Sequence, residues 1–222
     1  MKRVVLINSP YDLMKKGYNS RTKIRRGFFP PLGIGYIAAN LIKEGFEVNV
    51  IDAVVEQMEF PAVISQISEL KPDFVGLSVM TPGYSEAYKL AAMIRRDLQD
   101  LPIIVGGPHA NSFPEEIMAN CRAVDFVMSG ECELTLPRLL KNMGNYSEYA
   151  QIPGLYYRDS DGGFAIGAPP EFEPALDKIP FPARHLFKNE LYIPLPNFSR
   201  RLPATSVITS RGCPYRRCKF CY

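Results

Sequence analysis

Apolar positions along the chain come in short β-branched runs that alternate with stretches of helical period. Residues 4–7 form such a run, broken by Asn8-Ser9-Pro10. After a polar, basic loop ending at Pro30-Pro31, Ile34, Ile37, Ala38, Leu41 and Ile42 recur at helical spacing. Gly45 stands where the cap of that helix falls. Residues 48–51 read as a second strand ending at Asp52, and Val63, Ile64, Ile67 and Leu70 as a second amphipathic helix stopped before Pro72.

The alternation then repeats. Residues 74–79 predict a strand and Thr81-Pro82-Gly83 a turn, and Ala87, Tyr88, Ala91 and Ile94 mark the next helix. Residues 102–105 predict a fourth strand closed by Gly106-Gly107-Pro108, followed by a short helix near 114–119 with Pro114 in its first turn. A fifth strand at 126–128 leads through Gly130-Glu131 to a helix carrying Leu136, Leu139, Leu140 and Met143. Near-continuous apolar strands between helices are what a sheet buried on both faces requires. With right-handed crossovers this predicts an α/β, doubly wound (Rossmann/flavodoxin-like) parallel five-stranded sheet.

Beyond Asn145 the texture changes. Residues 155–158 and 163–166, joined by Asp159-Ser160-Asp161-Gly162, predict a β-hairpin. Pro169, Pro170, Pro174, Pro180 and Pro182 follow in a stretch with few helical signals, which reads as an extended connector. An alternating strand at 205–209 then runs into Ser210-Arg211-Gly212-Cys213. The expected organisation is a domain over 1–145, a hairpin and linker over 146–203, and a new unit opening at 204–222.

Composition narrows the function classes. The chain is 46% hydrophobic and 22% charged, ordinary for a globular protein, and a net charge of +3 is too small to argue for nucleic acid. Basic residues gather at 15–26 and 200–219. No stretch has the apolar length of a membrane span, and the N-terminus reads as a strand rather than a signal peptide, so the cytoplasm is the expected compartment. Five cysteines do not make a disulfide scaffold at 222 residues; three crowd into the last ten, which in a reducing compartment points to metal.

That trio, Cys213, Cys218 and Cys221, carries the strongest chemical signal. A loop this tight brings three thiolates to one point, and thiolates are the usual ligands of iron–sulfur clusters, while soft sulfur also suits zinc. A zinc structural site needs a fourth ligand, and His109 and His185 lie far back in sequence. A four-iron cluster tolerates an open corner, where a substrate or cofactor can bind. The neighbouring arginines and lysines favour thiolates and a negatively charged cluster.

The segment Thr209-Ser210-Arg211-Gly212-Cys213-Pro214-Tyr215, closing on Cys218-Lys219-Phe220-Cys221, resembles the cluster loop that opens the barrel of radical S-adenosylmethionine (SAM) enzymes. The resemblance implies that three cysteines hold a [4Fe–4S] cluster whose unique iron chelates SAM, that reduction cleaves SAM to a 5′-deoxyadenosyl radical, and that Phe220 packs near the adenine. It also implies an electron donor such as flavodoxin or ferredoxin. The spacing departs by one residue: four then two here, where the family has three then two.

The first half resembles the cobalamin-binding domain that precedes many such barrels. The matching pieces are Pro30-Pro31-Leu32-Gly33-Ile34, Gly45-Phe46-Glu47-Val48 leading to Asp52, Gly76-Leu77-Ser78, Gly106-Gly107-Pro108-His109-Ala110 and Gly130-Glu131-Cys132-Glu133; with the connector Asp177-Lys178-Ile179-Pro180-Phe181-Pro182-Ala183-Arg184 the resemblance covers nearly the whole chain. In open α/β sheets ligands sit beyond the carboxyl ends of the strands, where Ser78, Thr81, Gly106, Gly107, Pro108, His109, Gly130 and Glu131 fall. Glycines there allow close backbone approach to a planar ring, and hydroxyls can bond its side arms. Several of these have plainer readings: a tight turn for Gly106-Gly107, a helix cap for Glu131, a hydrogen-bonding group for His109, packing for Cys121 and Cys132. Asp52 ends a strand as in a dinucleotide fold, but the first turn lacks G-x-G-x-x-G, which argues against NAD.

No Asp-x-His-x-x-Gly follows the first strand, so cobalamin here is expected to lack a histidine lower ligand. The resemblance implies the front of a B12-dependent radical SAM enzyme, its barrel cut off, that transfers a methyl group or rearranges a carbon skeleton. The chain alone is expected to bind cobalamin without cleaving SAM. Two other readings remain at this stage: a docking module that binds no cobalamin, and a zinc-binding structural tail.

Overall fold

A computed structural model describes residues 1–10, 27–195, 197–213, 215 and 217–219. The basic loop expected at 15–26, Phe220 and Cys221 lie outside the described residues. The five parallel strands are β1 (Arg3–Asn8), β2 (Glu47–Asp52), β3 (Phe74–Ser78), β4 (Ile103–Gly106) and β5 (Phe126–Met128). Two more, β6 (Leu155–Arg158) and β7 (Phe164–Ile166), extend the sheet antiparallel, giving the order β2-β1-β3-β4-β5-β6-β7.

Alternation within β1 shows how the sheet is covered. Val4 and Leu6 face one side, where α1 (Leu32–Lys43) and α6 (Thr135–Lys141) supply Ile34, Ala38, Leu41, Leu136 and Leu139. Val5 and Ile7 face the other, where α2 (Phe60–Leu70), α3 (Tyr84–Asp97) and α5 (Pro114–Asn120) supply Val63, Ile67, Leu90, Ile94 and Ile117. Successive strand residues point to opposite faces, so a run apolar at every position must be buried twice. The three-layer doubly wound architecture follows from that. A five-residue helix, α4 (Pro108–Ser112), precedes α5 where one short helix was expected, and α7 (Tyr146–Tyr149) precedes the hairpin.

Two expectations change. The hairpin assigned to the connector belongs to the sheet: Phe126 pairs Tyr157 and Met128 pairs Leu155. An isolated hairpin is marginal in water, and β5 would otherwise present an open edge. Leu155 and Tyr157, both buried, bring the needed apolar face. The strand expected at 205–209 has no regular secondary structure and pairs with no strand among the described residues. A strand exists only through its neighbour, and here the side chain of Arg184 donates instead, to the Thr205 hydroxyl and the Ser206 carbonyl, each at 2.8 Å.

The connector is not a free spacer. Ile179, Ala183, Phe187 and Tyr192 are buried, and the Ala183 amide donates to the Gly35 carbonyl at 2.9 Å. Pro182 lies so close to α1 that a Cβ on Gly35 would sit 2.9 Å from the proline Cβ. Among the described residues no helix is long and apolar enough to cross a membrane.

Candidate cofactor site

β1 connects outward to β2 on one side, while the chain returns to β3 on the other, so strand order reverses between β1 and β3. A crevice at that reversal is where such sheets bind ligands. A cavity of about 760 Å³ opens there. Its floor is made by Leu6, Gly76, Ile104 and Met128 from β1, β3, β4 and β5, all on the α1 face. Ile34 and Ile37 of α1 and Leu136 of α6 roof it. Gly76 keeps the floor low, since a Cβ there would already lie 2.9 Å from a Leu6 methyl.

Six of the expected residues line this cavity: Ser78, Gly106, Gly107, Pro108, Gly130 and Glu131. Their loops are held in register by backbone bonds. Val79 N–H donates to Gly106 O at 2.9 Å, and His109 N–H donates to Val79 O at 3.0 Å. Gly107 makes this approach possible, with φ of +94° and Val79 backbone atoms within 3.0 Å of where a Cβ would stand.

Thr81 and His109 do not line it. Thr81 is exposed and opens a 3-10 turn, Thr81–Gly83. His109 is buried behind the loop, stacked on Tyr84 at 5.0 Å and near Phe113 at 5.3 Å, and neither ring nitrogen has a hydrogen-bond partner among the described residues. Burial holds its pKa below the usual imidazole value, against the opposing charge of Glu116. The hydrogen-bonding role expected of the ring is not seen; it packs as an aromatic plate.

At the opposite end of the crevice, Asp52 is buried and fully engaged. Its Oδ1 accepts from Asn8 Nδ2 at 2.8 Å and from the Val54 and Val55 amides, and its Oδ2 accepts from the Tyr192 hydroxyl at 2.8 Å. Burial raises the Asp52 pKa despite these donors. Burial first, then the Asp52 charge, pushes the Tyr192 phenol up. Tyr192 thus pins the connector to the end of β2. Periodicity carries no signal for such a pairing across 140 residues.

Sequence reasoning also missed the third wall. Ile208, Ser210, Arg211 and Gly212 line the cavity. Arg211 Nη1 lies 3.2 Å from Glu131 Oε1 and Nη2 lies 2.6 Å from Glu133 Oε1, with the guanidinium 5.1 Å from the Tyr36 ring centre. Burial alone would lower the Arg211 pKa, but the Glu133 hydrogen bond and both carboxylate charges raise it. Opposite charges in Gly130-Glu131-Cys132-Glu133 and Ser210-Arg211-Gly212 were the available signal. Cys132, between the glutamates, is buried with its pKa raised to about 12 by desolvation and then by their charges, so it stays a thiol. Cys121 is also buried, and neither forms a disulfide. Cys213 is exposed and Cys218 half-buried, neither in a disulfide.

A flat macrocycle with amide side arms suits these walls: an apolar floor, glycine-bearing loops open to close approach, and polar atoms at the rim. Glu131 Oε2 is buried without a hydrogen-bond partner among the described residues, an acceptor available to a ligand amide. A smaller pocket of about 210 Å³ lies at the other end of the sheet, where Arg95 is already paired with Asp125.

Comparison with known proteins agrees with this geometry. The chain is 32% identical over 193 residues to an uncharacterised methyltransferase of Pyrococcus horikoshii, covering 86% of this chain and 40% of the relative. It is 28% identical over 237 residues to the cytidylyl-2-hydroxyethylphosphonate methyltransferase of Streptomyces wedmorensis, covering 86% and 43%. The chain therefore spans about two fifths of the length of these curated relatives. In fold it matches the cobalamin-dependent SAM radical enzyme OxsB, solved with aqua-cobalamin and SAM bound, with a TM-score of 0.76 at 22% identity, over all of this chain and 28% of that one. The family model for the B12 binding domain matches residues 24–140, more than half of the 222 residues. The chain belongs to the B12-binding domain family.

Proposed function

We propose that this chain holds cobalamin across the carboxyl ends of its parallel strands and presents Cys213, Cys218 and Cys221 as thiolate ligands of a [4Fe–4S] cluster that binds SAM. It would serve a B12-dependent radical SAM enzyme of the methyltransferase or carbon-skeleton class. The observation that carries the proposal is one cavity walled both by the strand-end loops and by the segment leading into the cysteines. The names of the relatives support the same reading. Bound cobalamin and the SAM-loaded cluster would supply methyl-transfer and radical chemistry.

The roles of the chain's own residues follow from the walls. Gly106, Gly107, Pro108 and Gly130 offer backbone surface to the ring, and Ser78 and Glu131 offer oxygen atoms to its amides. Leu6, Ile104 and Met128 exclude water from the floor, and Ile34 from the roof. His109 would act from behind, by packing beneath the loop after β4, and Thr81 would stand on the exposed side of the turn that follows Met80, a residue of the cavity wall. Phe220 would face the adenine, and a flavodoxin- or ferredoxin-type donor in a reducing cytoplasm would supply the electron.

Anaerobic reconstitution with iron and sulfide tests the cluster half of the proposal. The expected result is iron–sulfur absorbance that Cys218→Ala abolishes while hydroxocobalamin still co-elutes with the variant. Stoichiometric zinc uptake without iron, or equal loss of iron and cobalamin in Cys218→Ala, overturns it.

A further inference from the structure

The cavity and the cysteine segment meet at one side chain. Arg211 stands two residues before Cys213, and both its terminal nitrogens are taken by carboxylates from the loop after β5. The arginine and Glu131 side chains are each 20% exposed and that of Glu133 only 7%. A planar fork held by two carboxylates and lying near an aromatic ring fixes direction as well as distance, which a lysine would not do. Tyr36, Glu131, Glu133 and Arg211 all line the cavity, so whatever fills it contacts the clamp itself.

We propose that Arg211, clamped by Glu131 and Glu133, is a positioning residue that latches the cysteine segment onto the cobalamin cavity, so that filling the cavity and seating the segment favour each other. With the latch closed, residues 210–212 are a wall of the cavity; with it open, that wall is gone and the carboxylates lose their counter-charge. A ligand that needs the wall binds the latched state better, and by linkage its binding holds the segment down. The proposal rests on the cobalamin reading for the identity of the ligand, though not for the existence of the latch.

Trypsin reads the latch directly, because an arginine held between carboxylates cannot enter a protease pocket. Cleavage after Arg211, relative to cleavage after exposed Arg201, is measured by mass spectrometry on the purified chain, with and without hydroxocobalamin. The latch predicts slow cleavage after Arg211 in the cofactor-free chain. Hydroxocobalamin should slow it a further roughly fivefold or more. Glu133→Gln, close in shape but without the charge, should raise it about tenfold and remove most of the cofactor's protection, and Glu131→Gln should act in the same direction. Far-UV circular dichroism identifies a variant that has failed to fold, and the other variant then carries the comparison. Fast cleavage after Arg211 in the wild-type chain, no change in a folded Glu133→Gln, or bound hydroxocobalamin without protection overturns the latch. Failure of hydroxocobalamin to bind, with Arg211 still protected in a Glu133-dependent way, instead overturns the cobalamin reading and leaves the latch standing.

Discussion

Replacing Gly107 by alanine tests whether the crevice is built by two strand-end loops brought to hydrogen-bonding distance. Gly107 has φ +94° and ψ −176°, a region open essentially to glycine alone, where a side chain costs about 1–3 kcal/mol. The added Cβ would also stand 2.9 Å from Val79 N and 3.0 Å from Val79 O, atoms fixed by the bonds to Gly106 O and His109 N. Loosening one of those bonds adds about 1 kcal/mol. The sum, about 2–4 kcal/mol, is a large part of the roughly 5–15 kcal/mol that keeps a domain folded. For a chain of this size it lowers Tm by roughly 5–15 °C in a thermal melt. Gly45→Ala is the control, because its φ is +88° but nothing lies within 4 Å of the new methyl, so only about 1 kcal/mol is expected. If Gly107→Ala melts at or above Gly45→Ala, the close approach of the two loops is not what the structure says it is.

Three further outcomes follow. Burial raises the Asp52 pKa in the folded chain, so the stability tied to this group is fully present below the ordinary aspartate value, about 3.9, and is lost as pH rises through the raised value. Asp52→Asn keeps an acceptor for Asn8, Val54 and Val55, and Tyr192 can turn to accept. Urea unfolding at pH 7 should therefore show stability unchanged or higher by about 1 kcal/mol, and a loss above about 2 kcal/mol contradicts the assignment. His109 has the opposite sign: its pKa is lowered by burial, so stability is present above about 6.5 and lost as pH falls below it. His109→Phe should remove that acid sensitivity with cobalamin affinity unchanged, and a weakened affinity would show that the ring reaches the cofactor. Cys132, with its pKa at about 12, should resist iodoacetamide at pH 8 in the folded chain and react once urea unfolds it; fast labelling without urea would mean the loop after β5 is open.

The layers of the fold were legible because burial on two faces leaves a double imprint. Val4, Val5, Leu6 and Ile7 are all apolar, and only a sheet covered on both sides requires that. The hairpin was legible as a hairpin but not as part of the sheet, since Leu155 and Tyr157 alternate identically whether they meet a linker or β5. Residues 205–209 carry the pattern of a strand without a partner among the described residues, because pattern states which faces differ and not whether a neighbour is there. In the site, Gly106, Gly107 and Gly130 were readable because they follow strands, where the backbone must turn. The pairings Asp52–Tyr192 and Arg211–Glu133 were not, because a contact between residues 78 or 140 positions apart leaves no period in the sequence. His109 misled through its chemistry: beside two glycines it reads as polar, yet the fold spends it as an aromatic ring.

The most direct test is an absorbance titration of the purified 222-residue chain with hydroxocobalamin, followed by gel filtration. One equivalent should travel with the protein, and Gly76→Phe, which fills the cavity floor, should weaken binding by tenfold or more while the fold persists. A folded wild-type chain that emerges colourless from about 50 μM hydroxocobalamin, well above the micromolar range common for specific ligands, would contradict the account.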